Sequence, residues 1–491
     1  MSRFGEAPVG LLKEQLINKT NCKRIAVIEG NESATYESVI YDAQQISTVI
    51  RELTLNRCNI GILFPNSIQY VTAYYSILLS NDVVVPLYFK ATHEEIRSIS
   101  EFCDIEIILT NTSNLKRLLD VEFQHSVSII NIDTLEITRL GNKERKAITK
   151  CPSQVSVMLG TSGSTSTPKR VMLSDENMIE NALGIIHSLK YKENYERFLC
   201  LLPLTFASGN TSQLITSLLL SSTLYIYNGP IHPRLIFDAV NKHGITTTTI
   251  VPSILKILLS SEKDYSNECK TLKTVCFGGG PTDSATIEKL VAHPLRDKFV
   301  QMYGQTEAST RISHLHYSKN ADKPFSVGQP LFNILVQVKP IEQYNNVGEI
   351  LVKGPNVMVG YYKEEISSIN NGWLATGDIG YLDSNDFIYI TGRKKNIIIC
   401  SGMNIHAEEV EDVIYRHPKV AEVVVYGISD HAHGEVPIAD IVIKSNEALS
   451  ENEIRTFCSA YLSEFKVPVK FNFVNALRRT YNGKIARKRR S

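Results

Sequence analysis

The chain has 491 residues, of which 43% are hydrophobic and 21% are charged. This length predicts two or more domains, and the composition is typical of a soluble protein with a substantial core. The 52 basic and 51 acidic residues almost cancel, so no broad positive field favours nucleic acid as a partner. The nine cysteines are scattered and the N-terminus lacks a signal pattern, which predicts a cytoplasmic protein with reduced thiols.

A small, hydroxyl-rich segment occupies residues 161–169, with the sequence Thr-Ser-Gly-Ser-Thr-Ser-Thr-Pro-Lys. The apolar run 155–159 precedes it as a predicted strand, and a helix capped by Ser174 is predicted to follow it. Hydroxyls, free backbone N–H groups and a lysine are suited to holding an anion. A strand, a small-residue loop and a helix hold phosphate in many folds, so we expect a phosphate site here. The alternative is a solvated Ser/Thr linker.

Helical and strand-like patterns alternate along residues 36–300. The predicted helix–strand pairs are 208–220 with 223–227 and 233–242 with 247–251, followed by strands 273–277 and 299–302. This alternation predicts an α/β fold with βαβ units and a mostly parallel sheet. Binding turns then lie at the carboxyl ends of the strands. The apolar stretch 214–227 is interrupted by Ser and Thr and is too short to span a bilayer, so no membrane span is expected.

The character of the chain changes near Gly392. Residues 396–491 are predicted to contain a charged helix at 407–416, strands near 421–426 and 437–443, and a helix at 451–462. This is the size of a small, independent α/β domain. The polar junction Arg393-Lys394-Lys395 is suitable for a hinge. We therefore expect a large N-terminal domain, 1–392, and a small mobile C-terminal domain, 393–491.

The hydroxyl-rich segment resembles the phosphate loop of the AMP-forming adenylating enzymes, whose members include acyl-CoA synthetases, peptide-synthetase adenylation domains and luciferases. Of the usual form T-S-G-[ST]-T-G-x-P-K-G, the chain keeps T-S-G-S-T and P-K and has Ser166 and Arg170 in place of glycines. Arg170 either adds charge there or is solvated, and we expect it to be solvated. Further matches follow in the family's order, at 303–307 (Y-G-Q-T-E), 348–350 (G-E-I), 354–362 (G-P-N-V-M-V-G-Y-Y), 373–378 (W-L-A-T-G-D), 392–397 (G-R-K-K-N-I), 402–405 (G-M-N-I), 409–411 (E-V-E) and 482–485 (N-G-K-I). The resemblance covers nearly the whole chain and is strongest to a stand-alone acyl-CoA synthetase.

This resemblance implies a reaction in two steps that uses ATP, Mg²⁺ and coenzyme A. A small-molecule carboxylic acid attacks the α-phosphorus of ATP and releases pyrophosphate, and a thiol then takes the acyl group from the acyl-adenylate and releases AMP. The thiol belongs to coenzyme A or, alternatively, to a separate carrier protein, because no carrier segment follows Lys484. A hypothesis from another class is a nucleotide-binding protein with degraded catalysis.

The resemblance also implies roles for individual residues. Lys484 is expected to be the catalytic lysine, assisted by Thr161 and Glu307, which are also the expected Mg²⁺ ligands, with Thr306 as an alternative to Thr161. Lys395 is the expected hinge. The residues expected to bind the nucleotide are Thr161, Ser162, Gly163, Ser164, Thr165, Lys169, Gly279, Gly280, Pro281, Tyr303, Gly304, Thr306, Asp378, Arg393 and Lys484. Within this set, Asp378 and Arg393 would bind the ribose, and Tyr303 either covers the adenine or borders the acyl pocket.

The substrate pocket is expected to include Phe206, Gly209 and Gly278. Phe206 stands where many acyl and aryl ligases of the family have a histidine, and residues 203–210 contain no acid. A buried amine without a carboxylate partner is strongly unfavourable. We therefore expect a carboxylic acid with an uncharged tail and not an amino acid.

Overall fold

The computed structural model describes residues 10–54, 56–141, 151–161, 169–261, 265, 269–341, 347–364, 368–401, 403–479 and 485–487. Up to residue 141 the helices are α1 (Leu11–Ile17), α2 (Tyr36–Leu53), α3 (Ile68–Ser80), α4 (His93–Phe102) and α5 (Thr112–Leu119), and the strands are β1 (Ile25–Glu29), β2 (Glu32–Thr35), β3 (Asn59–Ile62), β4 (Val83–Pro86), β5 (Ile105–Thr110), β6 (Val127–Asn131) and β7 (Glu136–Leu140).

The middle of the chain continues the alternation. Its elements are β8 (Val155–Gly160), β9 (Arg170–Ser174), α6 (Asp175–Leu189), β10 (Arg197–Cys200), α7 (Ala207–Gly209), a π-helical turn (Asn210–Ile215), α8 (Thr216–Leu219), β11 (Thr223–Ile226), α9 (Pro233–His243), β12 (Thr247–Ile250), α10 (Pro252–Leu259), β13 (Thr274–Gly278), α11 (Ser284–Ala292), β14 (Phe299–Tyr303), β15 (Ser313–His316) and β16 (Gln329–Pro330). The predicted helix at 208–220 is therefore present, but a π-helical turn interrupts it.

The last part of the chain is rich in strands. It contains β17 (Leu335–Pro340), β18 (Gly348–Lys353), β19 (Gly360–Tyr361), β20 (Ile369–Asn370), β21 (Trp373–Leu382), β22 (Ile388–Arg393), a 3₁₀ turn (Lys394–Asn396), β23 (Ile397–Cys400), β24 (Met403–His406), α12 (Ala407–Tyr415), β25 (Val420–Asp430), β26 (Gly434–Ile443), α13 (Glu451–Tyr461) and β27 (Lys470–Phe473).

Two large sheets carry the N-terminal part. The first has nine strands in the order β16-β15-β14-β13-β12-β10-β11-β1-β2, and the pairs from β14 to β1 are parallel. The second has eight strands in the order β19-β9-β8-β4-β3-β5-β6-β7, with a parallel centre from β8 to β6. A hydrophobic core shared by strands of both sheets and by α2, α3 and α6 holds them together. The predicted α/β fold with mostly parallel sheets is confirmed.

A third sheet was not predicted. It consists of β17, β18, β20, β21 and β22, and the pairs β17–β18, β18–β21, β20–β21 and β21–β22 are antiparallel. A separate five-stranded sheet follows, formed by β23 to β27, with a hydrophobic core of its own that draws on residues between Ile398 and Phe471. Within the described part of the chain, no helix is long and apolar enough to cross a bilayer.

The hydroxyl-rich segment does not lead directly into a helix, so the strand–loop–helix expectation is wrong. The segment connects β8 to β9, which pair antiparallel with Gly160 opposite Arg170. The predicted helix α6 and its Ser174 cap are present, but they follow β9. Five strand residues extend about 17 Å, so the helix N-terminus lies away from the segment. Residues 170–174 are buried and form the missing strand.

Candidate active site

Asp378 is at the centre of a buried polar cluster where two sheets meet. Its side chain is only 4% exposed, and β21 places it directly opposite Arg393 on β22. Arg393 Nε donates to Asp378 Oδ1 at 2.7 Å. Tyr303, the last residue of β14 in the nine-stranded sheet, donates its hydroxyl to Asp378 Oδ2 at 2.8 Å. The structure therefore brings together three residues that were predicted from motifs far apart in the sequence.

The Tyr303 hydroxyl is a permanent donor in this cluster. Burial raises the pKa of Tyr303 well above its ordinary value, and the neighbouring Asp378 carboxylate raises it further. The Asp378 oxygens offer about four lone-pair positions, of which these two contacts use two. The carboxylate therefore keeps acceptor capacity for further hydroxyl groups, as binding of a ribose requires.

Glu307 belongs to a second cluster, with Tyr361 and Lys169. Glu307 follows the Y-G-Q-T segment in the short 3₁₀ turn Thr306–Ala308, and its Oε1 accepts a hydrogen bond from the Tyr361 hydroxyl at 2.8 Å. Lys169 Nζ lies 4.3 Å from the centre of the Tyr361 ring and 2.7 Å from Glu364 Oε2. One tyrosine therefore connects the expected metal ligand with the expected phosphate-binding lysine.

The residues in this second cluster fit a magnesium ion. Mg²⁺ prefers one or two carboxylates together with phosphate oxygens and water, and Glu307 is a single, half-buried carboxylate beside Thr306. Thr161 lies at the start of the loop, where its backbone N–H donates to the Lys169 carbonyl at 3.1 Å. Loop residues Ser162, Gly163, Ser164 and Thr165, and also Ser166 and Lys484, lie outside the described residues.

The glycine turn after β13 leaves open space beside the backbone. A Cβ atom at Gly279 or Gly280 would meet nothing within 4 Å, and Gly279 has a φ of +84° that favours glycine. Both residues and Pro281 are exposed. A flat ligand can therefore approach this backbone, in agreement with the expected adenine surface. Gly304 is different, because a Cβ there would lie 2.0 Å from the Thr310 carbonyl oxygen and the turn can only be closed by glycine.

Gly209 and Gly278 have a packing explanation. A Cβ at Gly209 would lie 2.3 Å from the Pro203 carbonyl oxygen, and a Cβ at Gly278 would lie 2.3 Å from the Met302 carbonyl oxygen. Neighbouring main chain therefore fills the space that their missing side chains leave. The pocket role of these two glycines stays a prediction.

Phe206 contacts a wall that sequence analysis missed. Its half-buried ring lies 5.6 Å from that of Tyr88, which follows β4 in the other large sheet. Two residues later the hydroxyl of Ser208 lies 3.3 Å from that of Thr310. These contacts place the predicted pocket residue Phe206 at the boundary between the two sheets.

Arg170 is buried, so the expectation that it is solvated is wrong. Only 3% of the residue is exposed. The reason is its position on β9, which lies between β8 and the short strand β19. Its carbonyl accepts a hydrogen bond from Tyr362 N at 2.8 Å, which holds this neighbouring segment over it.

The expected hinge lies between two sheets. Lys395 is in the 3₁₀ turn Lys394–Asn396, which connects β22 of the third sheet to β23 of the C-terminal sheet. The side chains of Lys394 and Lys395 are exposed, as the sequence predicted. The C-terminal part also contacts the N-terminal part elsewhere, because Asp412 Oδ1 on α12 accepts a hydrogen bond from Ser284 N at the start of α11, at 2.9 Å.

This arrangement of fold and site is that of a known class of enzymes. The AMP-binding enzyme family model matches residues 13–362, and the AMP-binding enzyme C-terminal domain model matches residues 409–484. The chain belongs to the AMP-binding enzyme family. The resemblance inferred from the motifs is confirmed.

Curated relatives specify the class further. The 2-succinylbenzoate–CoA ligase of Bacillus subtilis is 30% identical over 482 residues, covering 95% of this chain and 94% of the relative. The enzyme of the same name from Bacillus licheniformis is 30% identical over 480 residues, covering 94% of this chain and 96% of the relative.

Solved structures agree with these relatives. The o-succinylbenzoate–CoA synthetase of Bacillus subtilis in complex with its acyl-adenylate intermediate is 28% identical, with a TM-score of 0.83 and coverage of 96% of each chain. The same synthetase in complex with ATP and magnesium is 27% identical, with a TM-score of 0.82 and coverage of 96% of this chain and 98% of that one. The predicted fold, a large α/β part with a separate small C-terminal part, is confirmed.

Proposed function

We propose that this chain is an ATP-dependent, AMP-forming ligase that converts a small carboxylic acid into an acyl-adenylate and then transfers the acyl group to coenzyme A. The observation that carries the proposal is the Tyr303–Asp378–Arg393 cluster, which lies where two sheets of the fold meet. The relatives are CoA ligases by name. Similar solved structures contain ATP with magnesium, or an acyl-adenylate. The prediction of an acyl-CoA synthetase that uses ATP, Mg²⁺ and coenzyme A is thereby confirmed at the level of class.

The substrate that we propose is an aryl acid of the 2-succinylbenzoate type. The support is the name shared by the curated relatives. Such an acid carries a second carboxylate, which disagrees with the uncharged tail expected from residues 203–210. Because such an acid is not an amino acid, the expectation that the substrate is not an amino acid is retained.

Each predicted residue then has a role in the first step. Asp378 and Arg393 bind the ribose, while Gly279 and Gly280 let the adenine lie against the backbone. Lys169 exchanges its contact with Glu364 for the phosphates. Glu307, with Thr161 or Thr306, would hold Mg²⁺, which neutralises phosphate charge when it is bound. Lys484 donates to the carboxylate and the α-phosphate together, so that two anions can meet.

The second step uses a movement of the C-terminal part. The proposed boundary lies between residues 392 and 393, with Lys395 as the hinge, and it is supported by the separate core of the C-terminal sheet. A rotation there removes Lys484 and brings residues 401–404 towards the thiol. We also propose a cytoplasmic location, which is supported by nine cysteines that are all free thiols.

A pyrophosphate-release assay over a panel of carboxylic acids tests the proposed function. The panel includes 2-succinylbenzoate, short fatty acids, simple aryl acids and amino acids, each with ATP and Mg²⁺. We expect release with an aryl acid and formation of its thioester when coenzyme A is added. An Asp378→Ala variant is the negative control. Absence of release with every acid would contradict the proposal, and a thioester formed only on a carrier protein would correct the acceptor.

A further inference from the structure

Arg311 is a fully buried cation at the edge of the region predicted to bind the acyl group. Only 1% of the residue is exposed. Its guanidinium donates to four neutral acceptors, which are Ser212 Oγ at 3.1 Å, His314 Nε2 at 2.8 Å, Cys276 Sγ at 3.3 Å and Thr249 Oγ1 at 3.1 Å. These contacts use four of its five N–H groups.

The charge of Arg311 is not neutralised by the described residues. No Asp or Glu in the described ranges forms an ion pair with it, and the buried Glu196 bonds instead to Thr246 Oγ1 at 2.5 Å and Lys192 N at 3.1 Å. His314 remains neutral, because burial and then the Arg311 charge lower its pKa well below the ordinary value. An unpaired charge in such an environment is strongly unfavourable and is normally compensated by an anion.

The strand register places this charge directly below the expected pocket. Gly278, Met302 and His314 stand opposite one another on three neighbouring strands, so they share one face of the nine-stranded sheet. Cys276 lies two residues before Gly278 on that face and stands opposite Thr249. Gly278, Met302 and His314 form a row at the strand ends, and Cys276 and Thr249 form the row beneath it. The Arg311 side chain contacts both rows.

The helix that faces Arg311 has polar atoms without partners. Ser212 belongs to the π-helical turn that follows Phe206 and Ser208, and such turns occur frequently at functional sites. The buried hydroxyls of Thr211 on this turn and of Thr205, just before Phe206, have no hydrogen-bond partner among the described residues. The side-chain oxygens of Asn210 and Gln213 on the turn lack a partner as well. Buried hydroxyls are normally satisfied, so a ligand that accepts hydrogen bonds would supply partners for the two threonines.

We propose that Arg311 determines substrate specificity by binding a second, distal carboxylate of the acid that is activated. The proposal rests on the proposed function and adds the residue that selects the substrate. A distal carboxylate supplies both the missing counter-charge and acceptors for hydroxyl donors of the π-helical segment. An uncharged tail leaves the cation unpaired, so the site favours dicarboxylic acids over monocarboxylic acids of the same shape.

The test compares 2-succinylbenzoate with two monocarboxylic analogues, 4-oxo-4-phenylbutanoate and 2-butanoylbenzoate, each of which lacks one of its carboxylates. We expect wild-type kcat/KM for pyrophosphate release to be about 10²–10³-fold higher for the dicarboxylic acid than for the better analogue. In Arg311→Met this preference disappears, mainly through a higher KM for the dicarboxylic acid. Arg311→Lys keeps part of it, because the charge remains.

Arg57→Met is the matched control. Arg57 donates to the main-chain carbonyls of Asn81 and Pro152 at 2.8 and 2.9 Å, away from the pocket. We expect it to lower the melting temperature without changing the ratio between the acids. The proposal is overturned if wild-type enzyme shows no preference for the dicarboxylic acid, or if Arg311→Met or Arg311→Lys lowers activity equally with all three acids. Pyrophosphate release with none of the acids of the wider panel would instead contradict the proposed function itself.

Discussion

Asp378 shows how a single carboxylate is oriented by its neighbours. Its two oxygens accept hydrogen bonds from Tyr303 at 2.8 Å and Arg393 at 2.7 Å, and its own N–H donates to Thr376 Oγ1 at 3.1 Å. Both the side chain and the backbone are therefore fixed. A carboxylate held in this way loses little conformational freedom when it binds a ligand, which favours tight binding.

We predict that Tyr303→Phe weakens ATP binding. The change removes the hydroxyl that donates to Asp378 and leaves a buried, charged oxygen with one partner fewer. A hydrogen bond to a charged group contributes about 1.5–3 kcal/mol, so KM for ATP should rise at least about tenfold with little change in kcat. ATP titration in the pyrophosphate-release assay measures it.

Tyr381→Phe is the control for this change. Tyr381 lies on the same strand as Asp378 and its ring stacks on Tyr389 with centroids 4.8 Å apart, a contact that phenylalanine keeps. We expect wild-type kinetics from this control. An unchanged KM for ATP in Tyr303→Phe would show that the Tyr303 hydroxyl does not orient the ribose site.

We predict that Lys484→Ala blocks formation of the acyl-adenylate. Loss of one donor that stabilises developing charge lowers the rate by about 10²–10³-fold. Formation of the thioester from chemically prepared adenylate should be retained, because Lys484 acts only in the first step. The two half-reactions are measured separately, and Lys488→Ala, in the basic sequence Arg487-Lys488-Arg489-Arg490, serves as control. Near-normal pyrophosphate exchange in Lys484→Ala would refute the assignment.

At the scale of single residues, the sequence predicted site residues that stand in contiguous motifs. It missed residues whose role depends on contacts with distant segments. Tyr303, Asp378 and Arg393 were found in this way, and the structure brings them together. The role of Tyr361 was not found, because its contacts to Glu307 and Lys169 join segments that are far apart in the chain. Arg311 was missed for the same reason.

Among the elements, β13 shows why a glycine turn has two kinds of glycine. Gly278 lies against the Met302 carbonyl oxygen of β14, whereas Gly280 faces open space. We predict that Gly278→Ala destabilises the protein by about 1–3 kcal/mol, because backbone atoms cannot move aside without separating two strands. Gly280→Ala should change stability by less than about 0.5 kcal/mol.

Urea unfolding of the two variants measures this difference. The Gly280→Ala protein is the internal control, because it introduces the same methyl group two residues away. Equal midpoints for both variants would show that the strands separate easily at Gly278. A lower slope in Gly278→Ala would indicate a change in compactness and require calorimetry in addition.

The elements themselves were predicted unevenly. The capped helix α6, the helix α12 and the strands from β11 to β14 agree with the helical and strand-like patterns of the sequence. Strand β9 was missed because its apolar residues stand directly before the predicted helix α6, and a short apolar run cannot be distinguished from part of a helix by periodicity. The third sheet was missed because its strands β18 and β21 are not consecutive in the chain, and periodicity does not show that they pair.

At the scale of the whole molecule, the C-terminal part has a core of its own and also contacts the N-terminal part. It has its own hydrophobic core, yet Asp412 accepts hydrogen bonds from Ser284 N and Oγ at 2.9 and 3.1 Å. Lys256 Nζ also lies 4.0 Å from the centre of the Tyr415 ring on α12, and a few polar contacts of this kind are weak enough to be broken during turnover. This combination agrees with a part that changes position between the two steps of a reaction.

We predict that Lys395→Pro separates the two half-reactions. Proline fixes φ and so prevents the backbone rotation that the hinge requires. Pyrophosphate release should remain close to the wild-type rate, while thioester formation falls at least about tenfold if rotation limits that step. Lys394→Ala, one residue earlier, is the control and should affect neither half. Equal loss of both activities in a folded Lys395→Pro protein would argue against a hinge here.

The hairpin formed by β8 and β9 has a consequence for engineering. The backbone N–H of Thr161 bonds to the Lys169 carbonyl at 3.1 Å, so the segment between these residues begins and ends on one closed pair of strands. The free energy of closing a loop grows only slowly with its length, by about 0.6 kcal/mol for each doubling. Residues 162–168 are therefore a place where whole loops from other adenylating enzymes can be grafted, and phosphate handling redesigned, without refolding the sheet.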